Sequence, residues 1–242
     1  GYCPNLNSNL MGNSMTPIFF FNTILHECDF VKPVTLTLKI LIEIIHDHFK
    51  YFDYDATKRI QFFLKVSPSE IQSLAIMYFF TLIQIITNGS ISINQEQIEE
   101  FKNLFSELDL YSNLIDLVKT RDLFFNSINY SIQSLDILFD FLNDDNLLSL
   151  YDSEIVEQLC LLIAGEVKTE TLDSIINIFY KLLDFLTATN IEKRDLFVQE
   201  LTNDLDQETI ECVLKSEKID LARKAQSFFD QIQDLVSLNS ND

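Results

Sequence analysis

Apolar positions recur along this chain with a helical spacing, and that spacing itself repeats. An apolar residue is followed by a small or apolar residue at +4 and by apolar residues at +5, +8 and +11. The set Ile71, Ala75, Ile76, Phe79 and Leu82 is one copy. Tyr130, Ser134, Leu135, Leu138 and Phe141 form another, and Leu221, Ala225, Phe229 and Ile232 a third. The copies lie roughly 35 to 55 residues apart, the period that stacked helical units leave in a sequence.

Reading the same pattern outward predicts the elements. A first helix over about 16–29 has Thr16 as N-cap and Pro17 in its first turn. Pro33 starts a second, longer helix carrying Leu38, Leu41, Ile44, Ile45 and Phe49. Residues 53–56 are expected as a polar break before a short helix over 57–65. Ser67, Pro68 and Glu70 make a capping box that opens a helix ending at Asn88-Gly89. Helices at about 94–108, 110–119 and 122–142 follow, and the polar run at 143–146 is expected as a turn. Further helices are expected at about 152–164, 169–187, 192–203, 206–214 and 217–237. Long helices therefore begin near 33, 68, 122, 169 and 217, each preceded by one or two shorter ones. The domain expectation is an irregular arm over 1–15, one solenoid over 16–237 and a polar tail over 238–242, since no Pro-, Gly- or Ser-rich linker divides the chain.

Composition narrows the class. Hydrophobic residues make up 47% of 242 residues, with 21 Phe, while Gly and Pro number four each. That leaves too little punctuation for the many tight turns of an all-β fold. A formal charge of −20 and a pI near 4.3 oppose binding to phosphate backbones or anionic lipid, so no nucleic-acid partner is expected and a basic protein surface is. Cys3, Cys28, Cys160 and Cys212 show no CxxC pair, which points to reduced thiols and a cytoplasmic setting. Gly1 in place of Met suggests a processed product, a cloning scar or a fragment. The uncharged run from Ile71 to Gln95 has the length of a membrane span, but Gln72, Ser73 and Gln84 interrupt it and no basic cluster flanks its downstream end. It reads as a central core helix, and no membrane insertion is expected.

The segments 67–83, 129–144 and 216–232, and more loosely 33–45 and 170–183, resemble the third helix of the armadillo (ARM) repeat family, with HEAT repeats close behind. The resemblance covers most of 16–237 and implies an all-α fold, a right-handed α-solenoid of about five ARM/HEAT-like repeats. In that family the third helices line a concave binding face. Its best-known grooves, which hold nuclear-localisation peptides, use a Trp at +6 and an Asn at +10 of that helix. Here those positions read Lys39 and Glu43, Met77 and Thr81, Asp136 and Asp140, Asn177 and Lys181, and Ser227 and Gln231, and the chain has no Trp. An import receptor of the usual type is therefore not expected. The ten positions remain the groove candidates, because residues four apart share a helix face. Asp136 and Asp140 stand out as two carboxylates able to receive Lys or Arg from a partner; a solvated surface is the plainer alternative.

Other chemistry is thin. His26, Cys28, His46 and His48 are the only conceivable metal cluster, and residues two apart on a helix diverge, so no metal site and no cofactor are expected. No glycine-rich phosphate loop, GxSxG or HExxH occurs, and no catalytic residues are proposed. Lys215, Lys218, Arg223 and Lys224 are expected to offset neighbouring acids. Phe doublets are expected to serve adjacent layers of the stack, with Phe19, Phe20 and Phe21 as a candidate end-surface contact in a terminal repeat. The expectation is a non-enzymatic scaffold or adaptor that binds a basic peptide or protein surface. The alternative is a structural subunit of a larger cytoskeletal or ciliary assembly, docking through apolar ends.

Overall fold

The computed structural model describes residues 23–25, 31–47, 52–66, 68–87, 95–120, 125–141, 144–152, 154–165 and 167–239. Among these lie twelve helices of eight residues or more, and no strand. The chain divides into two compact units, Gly1–Asn113 with Leu123–Ser127, and Leu114–Asp122 with Ile128–Asp242.

The first unit contains α1 (Val31–Asp47), α2 (Tyr54–Val66), α3 (Ser69–Thr87) and α4 (Gln95–Glu107), and α5 (Leu110–Lys119) begins in it. In α1 the buried positions Val34, Leu38, Leu41, Ile42 and Ile45 form one stripe, the signature of a helix apolar on a single face. α3 differs, since ten of its side chains are buried, among them Ile71, Leu74, Ala75, Tyr78, Phe79 and Ile83. α1 and α2 both pack on it. By length and composition α3 could cross a membrane, yet its apolar girth is taken up by packing inside the unit. One polar contact is buried between α2 and α3: the hydroxyls of Thr57 and Tyr78 lie 2.7 Å apart. Burial pushes the Tyr78 phenol well above its ordinary range.

The polar break expected at 53–56 is instead the start of α2. Asp53 is its cap, accepting a hydrogen bond from Ala56 N at 2.8 Å while its carbonyl accepts from Thr57 Oγ1. Between α4 and α5 the chain turns through Asp109 at φ 48°, a left-handed conformation that Asp tolerates. Asn113 Nδ2 holds that turn by donating to the carbonyls of Leu108 and Asp109.

The second unit contains most of α6 (Phe125–Phe139), then α7 (Asp144–Asp152), α8 (Ile155–Ile163), α9 (Thr169–Thr189), α10 (Ile191–Asp204), α11 (Gln207–Leu214) and α12 (Ile219–Asn239). The polar run at 143–146 is not a turn throughout. Asp144 opens α7, where the Asp145 carboxylate complements the positive end of the helix dipole. The single helix expected at 152–164 is accordingly the end of α7 and the whole of α8, broken at Glu154 with φ 61°.

α9 is the hub of this unit, packing against α7, α8, α10 and α12. It buries nine residues on two stripes, including Ile175, Ile178, Leu182 and Ile176, Phe179, Leu183. The Phe179 ring meets Phe197 of α10 edge-on at 5.9 Å and stacks on Phe228 of α12 at 6.0 Å. Phe229 is buried beside Phe228, whereas of the doublet at 62–63 only Phe63 is buried and Phe62 is exposed under the Arg59 guanidinium.

Candidate functional site

α6, α9 and α12 are three of the five long helices that follow shorter ones. Their positions +6 and +10 stand on one face of each. In the second unit the structure brings four of the sequence candidates into direct contact. Lys181 Nζ donates to Asp136 Oδ1 at 3.2 Å and to the Asp136 carbonyl at 2.8 Å, and pairs with Asp140 Oδ1 at 2.9 Å. Asn177 Nδ2 donates to the other Asp136 carboxylate oxygen at 3.0 Å.

An ammonium has three donors, and this one faces three oxygens. The Asp136 carbonyl lies in the last turn of α6, where carbonyls have no partner within the helix and the dipole presents its negative end. The Phe139 ring adds a face 5.7 Å from Lys181 Nζ. Together these groups form an ammonium socket on the C-terminal turn of α6, filled by a side chain of α9. Asp136 is buried and Asp140 is two-thirds exposed at its side chain. Burial explains the thoroughness of Asp136's bonding, since a carboxylate taken from water without partners is costly.

The pattern continues onto α12. Lys224 Nζ donates to Asn177 Oδ1 at 2.9 Å and to the Asp173 carboxylate, and its carbonyl accepts from Tyr180 Oη. Lys218 Nζ reaches Glu170 at 2.7 Å and holds that carboxyl below its ordinary range. Nearer the helix starts, Thr171 Oγ1 donates to Asn129 Oδ1 at 2.8 Å, both residues being buried. Asp136, Asp140 and Asp173 against Lys181 and Lys224 leave one net negative charge across the polar ladder.

The other candidates fall outside the ladder. Ser227 and Gln231 are exposed on α12. In the first unit Lys39 and Glu43 are exposed on α1, while Met77 and Thr81 are half-buried on α3, where Thr81 Oγ1 donates to the Met77 carbonyl. Phe19, Phe20 and Phe21 lie outside the described residues, as do His26, Cys28 and His48 and the side chain of His46. Sequence reading missed Asp173, Lys224, Asn129 and Thr171 as ladder members. Asp173 lies one turn before Asn177, and Lys224 one turn before Ser227, so extending each candidate pair backwards by a turn would have found both.

Away from this face, a cleft of about 440 Å³ is lined by Tyr151, Glu154, Glu157, Lys193, Glu200 and Asp204, among others. Partial burial and the Asp204 charge push the Glu200 carboxyl up. Burial and the charges of Asp204, Glu200 and Glu157 push the Cys160 thiol to about 12. No group of three or more His, Cys, Asp or Glu among the described residues is arranged to hold a metal ion.

No protein-family model matches the chain, and no curated protein matches it in sequence. Solved structures do match it. Two engineered proteins from a structural genomics consortium are 13% and 14% identical, cover 91% of this chain and 100% and 98% of their own, and each has a TM-score of 0.55. A designed armadillo repeat protein in complex with the peptide (KR)4 is 13% identical over 90% of this chain and 100% of its own, at a TM-score of 0.52. At such identities the likeness is one of fold. The chain has an armadillo-like repeat fold, an all-helical solenoid among the described residues.

Proposed function

We propose that the chain is a non-enzymatic, cytoplasmic scaffold that binds an extended basic segment of a partner protein along the α6–α9–α12 face. The observation that carries this reading is the ammonium socket of Asp136 and Asp140, a site whose three oxygens already hold a cation. Two further facts support it. The designed armadillo protein similar in fold has the basic peptide (KR)4 as its ligand. A net charge of −20 favours encounter with a basic partner over a nucleic acid.

The test is titration of a fluorescent (KR)4 peptide against the wild type and Asp136→Asn/Asp140→Asn at low and high salt. The reading expects saturable binding by the wild type that weakens with the double substitution and with salt, since part-exposed charges are screened. No binding at low salt, or binding indifferent to both changes, would refute it.

The alternative reading, a structural subunit docking through apolar surface, draws on α10. Ile191 and Leu196 are exposed there, and Leu196 lines an open cleft with Val198 and with Val236 of α12. Phe228, by contrast, is fully buried and offers no such surface. Association through Leu196 would persist in high salt and be lost in Leu196→Asp.

A further inference from the structure

The socket on α6 is not vacant for a partner; the chain fills it. We propose that Lys181 is an internal competitor, the residue that sets the affinity of this face for basic segments. The inference rests on the reading of the face as a basic-peptide site.

The geometry leads there directly. Lys181 Nζ meets three oxygens, at 2.8, 2.9 and 3.2 Å, with the Phe139 ring alongside. These contacts satisfy every donor of an ammonium, so an incoming lysine offers the socket nothing that Lys181 does not already supply. Exchange of one ammonium for another is close to neutral, and the displaced Lys181 must be resolvated elsewhere. An arginine differs. Its guanidinium carries five donors in a planar fork, so it can engage the Asp136 and Asp140 carboxylates together, and it is less strongly hydrated than an ammonium.

The exposures fit an occupant that can leave. The Lys181 side chain is 29% exposed and that of Asp140 66%, so the outer half of the socket opens to solvent. Asp136 keeps its bond from Asn177 when Lys181 departs, and its burial is not left without a partner. Asn177 is in turn tied to Lys224, which keeps it in place. The part of the ladder that stays is therefore separate from the part that yields.

The experiment compares three probes, (KR)4, a lysine octamer and an arginine octamer, against the wild type, Lys181→Met and Lys181→Arg by isothermal titration calorimetry. Circular dichroism checks that each variant is folded. Lys181→Met keeps the aliphatic stem over Phe139 but removes the competing charge. It is expected to bind (KR)4 about fivefold more tightly, the worth of one part-exposed ion pair. Wild type and Lys181→Met are both expected to favour the arginine octamer over the lysine octamer by the same factor, since a competitor that must leave lowers the affinity of every probe alike. Lys181→Arg, which fills the socket more firmly, should weaken binding of all three probes; it carries the test if Lys181→Met does not fold. Unchanged or weaker (KR)4 binding by a folded Lys181→Met, beside a wild type that binds, would overturn the inference and leave the basic-peptide reading standing, with Lys181 as a strut only. Failure of wild type and all variants to bind any probe would overturn both.

Discussion

Phe228 of α12 stacks on Phe179 of α9, with ring centroids 6.0 Å apart and 23° between the planes. Both side chains are fully buried, and each belongs to a long helix of the second unit. This is the apolar counterpart of the polar ladder: the same two helices are joined by rings inside and by Lys224 at the surface.

Truncation of the ring at the hub should be severe. Phe179→Ala also removes the edge contact with Phe197, leaving a cavity among three helices. A loss of about 3–5 kcal/mol is expected in urea denaturation, with Phe179→Leu much milder. A loss under about 1 kcal/mol would mean that the second unit does not depend on this contact.

The start of α10 offers a smaller effect. Asn190 Oδ1 accepts a hydrogen bond from Lys193 N at 3.0 Å, capping the helix. Asn190→Ala should lower stability by about 1 kcal/mol and Asn190→Asp should preserve it, as read by thermal denaturation.

Thiol chemistry should separate the two described free cysteines. Cys160 is buried, its thiol pushed to about 12, while Cys212 is exposed. Brief treatment of the native protein with iodoacetamide near neutral pH is expected to modify Cys212 and spare Cys160, which should react only after denaturation. Peptide mapping by mass spectrometry reads the result, and equal labelling of both would contradict the packing of α8.

The Glu200 carboxyl gives a pH dependence of defined sign. Its affinity for the proton is raised in the fold by partial burial and by Asp204. The folded state therefore holds that proton more tightly than the unfolded chain does. This stabilising contribution is complete below the ordinary glutamate range and is lost as pH rises through the raised value. Glu200→Gln should be more stable than the wild type at neutral pH, and the difference should vanish on acidification below the ordinary glutamate range. Glu170 and Glu107 are shifted the opposite way by their lysine partners and titrate alike in both proteins, so they cancel in the comparison.

Much of the fold was legible because each long helix carries its own evidence. The all-round apolarity of 71–86 announced a core helix, and the stripe from Val34 to Ile45 announced a one-sided one. Errors fell where polar residues have two readings. Asp53 and Asp145 look like loop chemistry, yet a carboxylate at a helix start is equally a cap or a partner for the dipole. The site was legible by position but not by partner. Counting +6 and +10 along single helices found Asp136, Asp140, Asn177 and Lys181. That Lys181 occupies the acidic pair is a relation between helices whose residues stand 41 to 45 apart in sequence, which no pattern within one helix carries. The basic residues near α12 were read as offsetting acids, and Lys215, Lys218 and Lys224 do so at Glu211, Glu170 and Asp173.

The ladder also has a direction. In the contacts of Lys181 with Asp136 and Asp140, of Lys218 with Glu170, and of Lys224 with Asp173, the base stands on the later segment and the acid on the earlier helix. Such a joint works like a dovetail, with tail and socket at opposite ends of each piece. A unit duplicated between α9 and α12 would seat only if it held out a lysine toward its predecessor and a carboxylate toward its successor. Duplication of a repeat within this ladder would thus be filtered by a two-letter charge rule as well as by the fit of its apolar rows.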